Sequence, residues 1–259
     1  MKLRPFLLLS TALAACGGEP VKLAEKAEKL EVAAPKAPEV VKMTIDSASS
    51  KLGFDMDAPI EKIRGKVPPA AMTGEVFVDP VDLGKSRGLV HLDLTGLELF
   101  QRTAPEPGKE FGEEVKNDTQ NEHARAWLEI SADTPPEEMK KNARIEFALS
   151  SLSDLSATDV TKLTGPERKV TLTATGDFLL HQRKSPKSVK LEVTFRYDGD
   201  KLKEIHVKNV APLSVGLEEY DVRPREGFGK LAQRTLEILS PKVAKSAEIN
   251  LEFTAKPAT

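Results

Sequence analysis

The residues best suited to metal binding or nucleophilic chemistry are few, namely four histidines and one cysteine in 259 residues. His91, His123, His181 and His206 are not spaced at i, i+2 or i, i+4 from one another, and a lone cysteine cannot form a pair of thiolate ligands. A zinc site therefore has no local signature. Three of the histidines fall on the polar side of alternating segments, so we interpret the histidines as surface or rim residues.

Patterns typical of enzymes are weak or missing in the sequence. Gly227-Phe228-Gly229-Lys230 lacks the glycine spacing and the hydroxyl residue of a phosphate-binding loop, and neither Gly-x-Ser-x-Gly nor His-Glu-x-x-His occurs. Glu218-Glu219-Tyr220-Asp221 could supply paired carboxylates, although a solvated loop is the better interpretation. We therefore predict no enzyme, no catalytic residue, no metal, and no cofactor beyond a bound long-chain lipid.

Cys16 has a specific context. A basic start and a mostly apolar run lead to Leu13-Ala14-Ala15, directly before the thiol. The apolar run is too short to span a bilayer and is typical of a secretory signal. The junction resembles a bacterial lipobox, which predicts a signal peptide at 1–15 and an acylated Cys16, for example with palmitate. An ordinary signal peptide with a chance cysteine is the alternative.

The segment after the cysteine predicts a linker. Residues 16–41 are rich in Ala, Lys, Glu and Pro, with few large apolar residues and a brief helix conceivable at 23–30. As a flexible coil, this length spans about 25–30 Å r.m.s.. Gly17 after the cysteine, rather than Asp, favours sorting to the outer membrane. The predicted location is the bacterial cell envelope, lipid-anchored to the outer membrane and facing the periplasm.

Composition limits the partners of the remaining domain, residues 42–259. The net charge is −2, no long basic run occurs, and one Trp and two Tyr offer little base stacking. Nucleic acid is therefore not an expected partner. The expected partners are a lipid ligand and, through the anchor, a membrane; a homodimer is left open.

Apolar and polar residues alternate in several short segments separated by turn signals, which predicts strands. These segments are residues 52–56, 76–78, 90–94, 145–149, 168–198, 205–207 and 249–253. Their number and spacing predict an all-β domain, either a sandwich or an up-and-down barrel. Short helices are predicted at 117–130 and 228–239, and a mobile loop at 102–116.

The longest alternating stretch, residues 168–198, predicts a hairpin with one apolar face. Residues 182–187 are charged and contain a proline, which predicts a solvent-exposed turn between its two strands. Such a hairpin must bury its apolar face against more sheet. Together with the neighbouring segments it predicts an apolar interior lined by Phe54, Met56, Leu92, Phe147, Leu172, Phe178, Leu191, Val193 and Phe195.

The hairpin also carries a family resemblance. Gly176-Asp177-Phe178-Leu179-Leu180-His181, followed by Ser185-Pro186-Lys187-Ser188-Val189, resembles the hallmark hairpin of YceI-like proteins. Residues 45–54 and 74–80 resemble the opening strand and the next signature of that family. The resemblance covers roughly residues 43–255, with Met43 where the family usually has Trp.

This resemblance implies a single extended, lipocalin-like antiparallel β-barrel with one or two short helices. YceI-like barrels hold polyisoprenoid or other long-chain lipids, so the implied function is carriage or sequestration of a polyisoprenoid or fatty-acid-like lipid, with its headgroup near His181, Arg183 or residues 219–225. The residues alone leave an alternative, in which side chains fill the interior and the protein is a non-catalytic structural or interaction lipoprotein that uses the 102–116 loop as its contact surface.

The lipoprotein hypothesis predicts the behaviour of a Cys16→Ser variant. Two or more acyl chains hold a protein firmly on a membrane, at about 0.8 kcal/mol per buried methylene. Without the thiol, the protein should move from the membrane pellet to the soluble fraction after a high-salt wash. A variant that stays in the pellet would show that the anchor is not at Cys16.

Overall fold

The computed structural model describes residues 21–35, 39–223 and 244–258. Within them, thirteen strands form one sheet, accompanied by two α-helices and five short 3-10 helices. The strands are β1 (Glu25–Lys26), β2 (Val41–Asp57), β3 (Glu61–Lys66), β4 (Met72–Val78), β5 (Arg87–Asp93), β6 (Glu98–Thr103), β7 (Val115–Lys116), β8 (Arg144–Ser153), β9 (Glu167–Leu180), β10 (Arg183–Asp198), β11 (Lys201–Asn209), β12 (Leu213–Gly216) and β13 (Ser246–Pro257). The helices are α1 (Asp118–Trp127) and α2 (Pro136–Asn142), and the 3-10 helices are Pro69–Ala71, Leu83–Lys85, Leu94–Gly96, Val160–Lys162 and Glu218–Tyr220.

Eight of the strands close into an antiparallel barrel. Their order is β2, β4, β5, β8, β9, β10, β11 and β13, and β13 pairs back onto β2. The last barrel strand therefore lies beside the first, with Leu251 opposite Leu52. This arrangement confirms the predicted all-β, single antiparallel barrel with short helices.

The sheet continues beyond the barrel at one end. The 17-residue strand β2 pairs with β4 near its start and with β3 over its last five residues, and β6 and β7 follow β3 outward. β12 pairs with β13 along the edge of β13 that faces away from β2. Residues 47–50 bulge out of β2, because its register against β13 shifts between Asp46 and Lys51. The bulge redirects β2 from the barrel wall into this extension.

The central hairpin confirms the predicted strands but not the predicted turn. β9 and β10 pair at every position from Leu180–Arg183 to Glu167–Arg196. The turn consists of His181 and Gln182, with φ of 49° and 55°, so most of the predicted turn (182–187) belongs to β10. Two positive φ values are typical of the tight turns that match strand twist. Pro186 is tolerated because the other edge of β10 pairs with β1 before it and with β11 only from Leu191 onward.

The described part of the predicted linker lies along the outer wall of the barrel. β1 pairs with β10, and Leu30 is buried against Ala148 and Leu179. The backbone N–H of Leu30 donates to Glu146 Oε2 at 2.5 Å, and that of Ala24 donates to the Glu219 carbonyl at 2.8 Å. Residues 23–30 therefore do not form the brief helix, and residues 21–35 are not a free coil. We call these residues the strap.

Helix α1 confirms the first predicted helix, and the side chain of Asn117 is its N-cap. The predicted 102–116 loop is shorter than expected, because β7 pairs with β6. The second predicted helix, 228–239, lies outside the described residues, as do Cys16 and the motif at 227–230. Among the described helices, none has the length and hydropathy that a membrane span requires.

The barrel predicts that substitutions at two positions on β10 differ in their effect on stability. Val193 is 6% exposed and faces the interior, whereas Lys190 faces solvent. Val193→Asp should cost about 3 kcal/mol or more, since it buries a carboxylate without a partner. That cost corresponds to a melting point lower by about 6–12 °C. Lys190→Asp is the control and should melt near the parent; equal melting points for Val193→Asp and the parent would contradict the inward orientation.

Candidate ligand-binding cavities

The barrel encloses an apolar cavity of about 170 Å³. Residues from all eight barrel strands line it. They include eight of the nine residues predicted from the sequence, namely Phe54, Leu92, Phe147, Leu172, Phe178, Leu191, Val193 and Phe195. The structure thus brings together the apolar faces of strands that are far apart in the chain. We call this space the barrel cavity.

The polar side chains in the described lining of the barrel cavity are Ser86 and Asn209, and both bond to the protein itself. Ser86 Oγ accepts a hydrogen bond from the N–H of Asp79 at 3.0 Å. Asn209 Nδ2 donates to the Ile249 carbonyl at 3.1 Å, and its Oδ1 accepts from the N–H of Leu251 at 2.8 Å. The barrel cavity therefore suits hydrocarbon and offers a ligand little polar contact.

A second cavity of about 340 Å³ lies at the end of the barrel where β3, β6 and α1 meet. Met56, the ninth predicted residue, lines this cavity and not the first. The two cavities share five lining residues, namely Phe54, Leu94, Ile145, Phe178 and Ile249. These side chains border both spaces. We call the larger space the end cavity.

The end cavity combines apolar walls with one polar side. Its polar residues in the described lining are Glu61 from β3 and Gln120 and His123 from α1, with Trp127 on the next turn of the helix. This cavity is not predicted from the sequence, because β3 is 6 residues long and has a single large apolar side chain, Ile63. The available signals are the i, i+2 spacing of Glu61 and Ile63 and the i, i+4 spacing of Gln120 and Ala124.

Glu61 is the centre of a network of amides. Its side chain is buried, with the residue 6% exposed. Its Oε1 accepts hydrogen bonds from Gln101 Nε2 at 2.6 Å and from Gln120 Nε2 at 3.0 Å. Gln101 Oε1 in turn accepts from Asn117 Nδ2 at 2.7 Å. The tight turn at Pro59 and Ile60, closed by backbone bonds between Ala58 and Glu61, places the carboxylate at this wall.

His181, which we interpret first as part of the hairpin turn, lies in that turn, but its side chain is buried and not at the surface or rim. Its Nδ1 lies 3.1 Å from the Tyr220 carbonyl and its Nε2 lies 3.0 Å from Glu129 Oε2. Tyr220 is fully buried, with its hydroxyl 2.6 Å from Ser185 Oγ and its ring edge-on to Phe178 at 5.6 Å. Burial raises the pKa of the Tyr220 phenol, so the phenol keeps its proton at neutral pH. His181 lines neither cavity and joins the hairpin tip to the segment at 218–222.

The other predicted rim groups also contact the protein. Arg183 Nη1 donates to the Ala24 carbonyl at 3.0 Å, and Lys187 forms an ion pair with Glu219 at 2.7 Å. The acidic cluster at 218–221 is therefore not simply a solvated loop. Of the predicted headgroup segment, residues 224–225 lie outside the described part.

The remaining histidines have separate surroundings. His206 lies 2.9 Å from Glu252 on the outer face, and His91 lies 3.7 Å from Glu146 beneath the strap. Burial lowers the pKa of His91, and Glu146 opposes the effect. His123 lines the end cavity. Within the described ranges, no group of three or more His, Cys, Asp or Glu side chains could hold a metal ion.

Comparison with known proteins identifies the fold. No family model matches the chain, and no curated protein matches it either. Among solved structures, the chain is similar to a polyisoprenoid binding domain from Saccharophagus degradans implicated in plant cell wall breakdown, with a TM-score of 0.50 and 14% identity over 84% of this chain and 99% of that one. It is also similar to BcnA of Burkholderia cenocepacia, with a TM-score of 0.47 and 14% identity over 83% of this chain and 99% of that one. The chain has the barrel fold of the first of these structures.

Phe178 offers a test of the two-cavity arrangement, because its ring borders both spaces. Phe178→Ala should merge the cavities and lower the free energy of unfolding by about 3–5 kcal/mol, the usual cost of truncating a buried phenylalanine. Urea unfolding measures the change. Val115→Ala, at an exposed position, is the control and should stay within about 0.5 kcal/mol of the parent. A loss below about 1 kcal/mol at Phe178 would contradict its placement between the cavities.

Proposed function

We propose that this protein is a YceI-like envelope lipoprotein that binds one long-chain lipid, polyisoprenoid or fatty-acid-like, inside its barrel, for carriage or sequestration. The observation that carries the proposal is a pair of adjoining cavities of about 170 and 340 Å³ with mostly apolar walls, one inside the closed barrel and one at its end. The larger one alone exceeds the ~300 Å³ typical of the smallest ligand sites.

The cavity walls define the kind of ligand. Aliphatic and aromatic side chains from every barrel strand face the barrel cavity, and its polar side chains bond to the protein. Affinity would therefore come from burial of chain methylenes, at roughly 25 cal/mol per Å² before entropy losses. A charged or strongly polar molecule would lose its hydration there without replacement.

The comparison with solved structures also supports the proposal. The similar structure from Saccharophagus degradans is a polyisoprenoid binding domain, and its fold is shared by this chain. The hairpin residues that resemble YceI-like proteins suggest the same class of ligand. The proposals of an envelope location and a lipid anchor rest on residues 1–16. The proposal of a role without catalysis rests on the lack of enzyme motifs in the sequence.

Blocking the barrel cavity tests the proposal. Ala174 is 2% exposed and lines the barrel cavity, so Ala174→Phe should fill much of that space. We expect fluorescent polyisoprenoid or fatty-acid probes to bind the parent protein, and binding to Ala174→Phe to be weaker by about tenfold or more, equivalent to about 1.4 kcal/mol.

Thr173→Phe is the matched control, because the neighbouring position on β9 faces outward and is half-buried. It adds the same ring without entering the cavity and should bind the probes as the parent does. Circular dichroism of both variants checks that each is folded. If no probe binds the parent and native extracts contain no stoichiometric lipid, the interior is a packed core and the protein is a structural or interaction lipoprotein.

A further inference from the structure

One stretch of the barrel wall lacks backbone pairing. β10 pairs with β11 from Leu191 onward, and the ladder ends where the Val210 N–H donates to the Lys190 carbonyl at 2.8 Å. β12 then continues along β13. In the part of the chain that the structure describes, no hydrogen bond joins residues 185–189 to residues 213–216. The wall is therefore split between β10 and β12.

The two sides of this split differ in length. The bond between Val210 and Lys190 marks one end, and the ion pair between Lys187 and Glu219, at 2.7 Å, marks the other. Between these two contacts the chain makes three residue steps along β10 and nine along the opposite side. Three steps of a strand span about 10 Å, so the longer side must bow away from β10. We call the gap bounded by these four residues the side opening.

Prolines on both sides disfavour a continuation of the ladder. Because the Lys190 carbonyl points toward Val210, the backbone groups of Ser188 and Pro186 point toward the same side of β10. Pro186 has no N–H to donate, and Pro212 lies directly before β12. A proline removes a ladder hydrogen bond and is confined to edges of sheets. The split is thus encoded in the sequence.

The side opening leads to the barrel cavity. Val189 lies on one side of it and Leu213 on the other, and both side chains line the cavity. Val210, at one end of the opening, is exposed. Apolar side chains therefore follow one another from the outer surface to the cavity, and such a path suits a hydrocarbon chain.

Side-chain contacts hold the side opening closed. Besides the ion pair between Lys187 and Glu219, Ser185 Oγ lies 2.6 Å from the Tyr220 hydroxyl, and the Lys187 ammonium lies 5.5 Å from the centre of the Tyr220 ring. The side chains of the ion pair are 19% and 26% exposed, so water and salt screen their attraction only in part. Opening the wall here separates side chains, whereas opening it between paired strands breaks backbone hydrogen bonds.

Hydrogen bonds to the backbone hold the segments at the ends of the barrel. At the end opposite the end cavity, Leu83 and Val160 are buried, and the Val160 N–H donates to the Pro80 carbonyl at 2.8 Å. At the other end, α1 covers one side of the end cavity, and the Asn121 side chain bonds to the backbone of Leu99 at 2.8 and 3.0 Å. The side opening is thus held by fewer bonds to the backbone than these end segments.

We infer that the side opening is the entrance through which the lipid reaches the barrel cavity, and that the ion pair between Lys187 and Glu219 keeps it closed between binding events. The inference rests on the proposed function, because it requires a lipid in the barrel. It adds the route, since the lipid enters sideways through the wall and not along the barrel axis. The ion pair then controls the rate of uptake and not the affinity.

A reversible bridge across the side opening tests the inference. The full chain carries Lys187→Cys and Glu219→Cys together with Cys16→Ser, so that no other thiol is present, and a short bifunctional thiosulfonate joins the two cysteines. We expect the bridge to slow uptake of a fluorescent polyisoprenol by about tenfold or more, because it prevents a motion that binding requires. A reducing agent should restore the rate. Equal uptake by the bridged and the reduced protein would overturn the inference.

Glu192→Cys with Lys208→Cys, also combined with Cys16→Ser, is the matched control. The two native residues form an ion pair at 3.0 Å, but they lie on β10 and β11 at a position where these strands are paired. A bridge between them should leave the rate of uptake within about twofold of the reduced protein. Equal slowing by this bridge would assign the effect to general stiffening of the barrel and would also overturn the inference.

A charge exchange tests the ion pair without a bridge. Lys187→Glu places two carboxylates together, so uptake and release of the uncharged polyisoprenol should both become faster by about threefold or more. The equilibrium affinity should stay within about twofold, because a gate changes both rates alike. Adding Glu219→Lys restores an ion pair and should return both rates to those of the parent. Unchanged rates in Lys187→Glu would contradict the role of the ion pair.

The outcomes separate the inference from the proposed function. If the polyisoprenol binds and the bridge does not slow its uptake, the protein is a lipid-binding barrel whose ligand enters elsewhere, and the inference is wrong. If the polyisoprenol does not bind even the reduced protein, the proposed function fails and the inference fails with it.

Discussion

The backbone pairing between β2 and β13 is the constraint on which the interior depends. It joins the first and last strands of the barrel, so no barrel strand is left with an open edge on that side. Without it, the apolar faces of eight strands would line an open trough. With it, the same faces enclose a space that water enters only from the ends. The barrel cavity of the proposed ligand site follows from this closure.

The pairing of β2 with β13 closes the barrel wall, and other elements cover the ends of the barrel. The bulge at 47–50 bends β2 out of the wall, and β3 and β6 follow it to build the end cavity. Helix α1 covers one side of that cavity, with Asn121 bonded to the backbone of Leu99. At the hairpin tip, His181 contacts the backbone carbonyl of Tyr220 and so holds the segment that follows β12 against the hairpin. The strand β2 thus lines both the barrel cavity and the end cavity.

Much of the barrel could be predicted from the sequence, because a strand with one dry face alternates strictly. The inward residues of β9 and β10, such as Leu172 and Val193, follow from period 2 alone. β3 and β6 are not predicted, because each is only 6 residues long and contains few apolar residues. Their pairing is fixed by the turn at Ala58 and by contacts with α1 that are distant in sequence. The end cavity depends on those contacts and is therefore not predicted from the sequence.

Two other errors have different physical origins. The turn was placed at 182–187 because charge and proline usually mark turns, yet His181 and Gln182 adopt the positive φ values that allow a two-residue turn. Alternation along the strand predicts a surface position for His181. The alternation of faces ends with the strand, however, and His181 lies in the turn. The linker was inferred from composition, but β1 pairs through backbone groups that every residue except proline possesses.

The strap has a consequence for how the molecule would stand on a membrane. Its first fixed point is Ala24, which bonds to Glu219 and Arg183 near the end cavity, where Leu180 and Val222 form part of the wall. Eight residue steps separate Cys16 from Ala24, a reach of about 28 Å at full extension and about 16 Å for a flexible coil. With a lipid on Cys16, as proposed, Ala24 and the nearby end of the barrel would lie within about 28 Å of the bilayer, so that a ligand leaving the end cavity has a short path to the membrane.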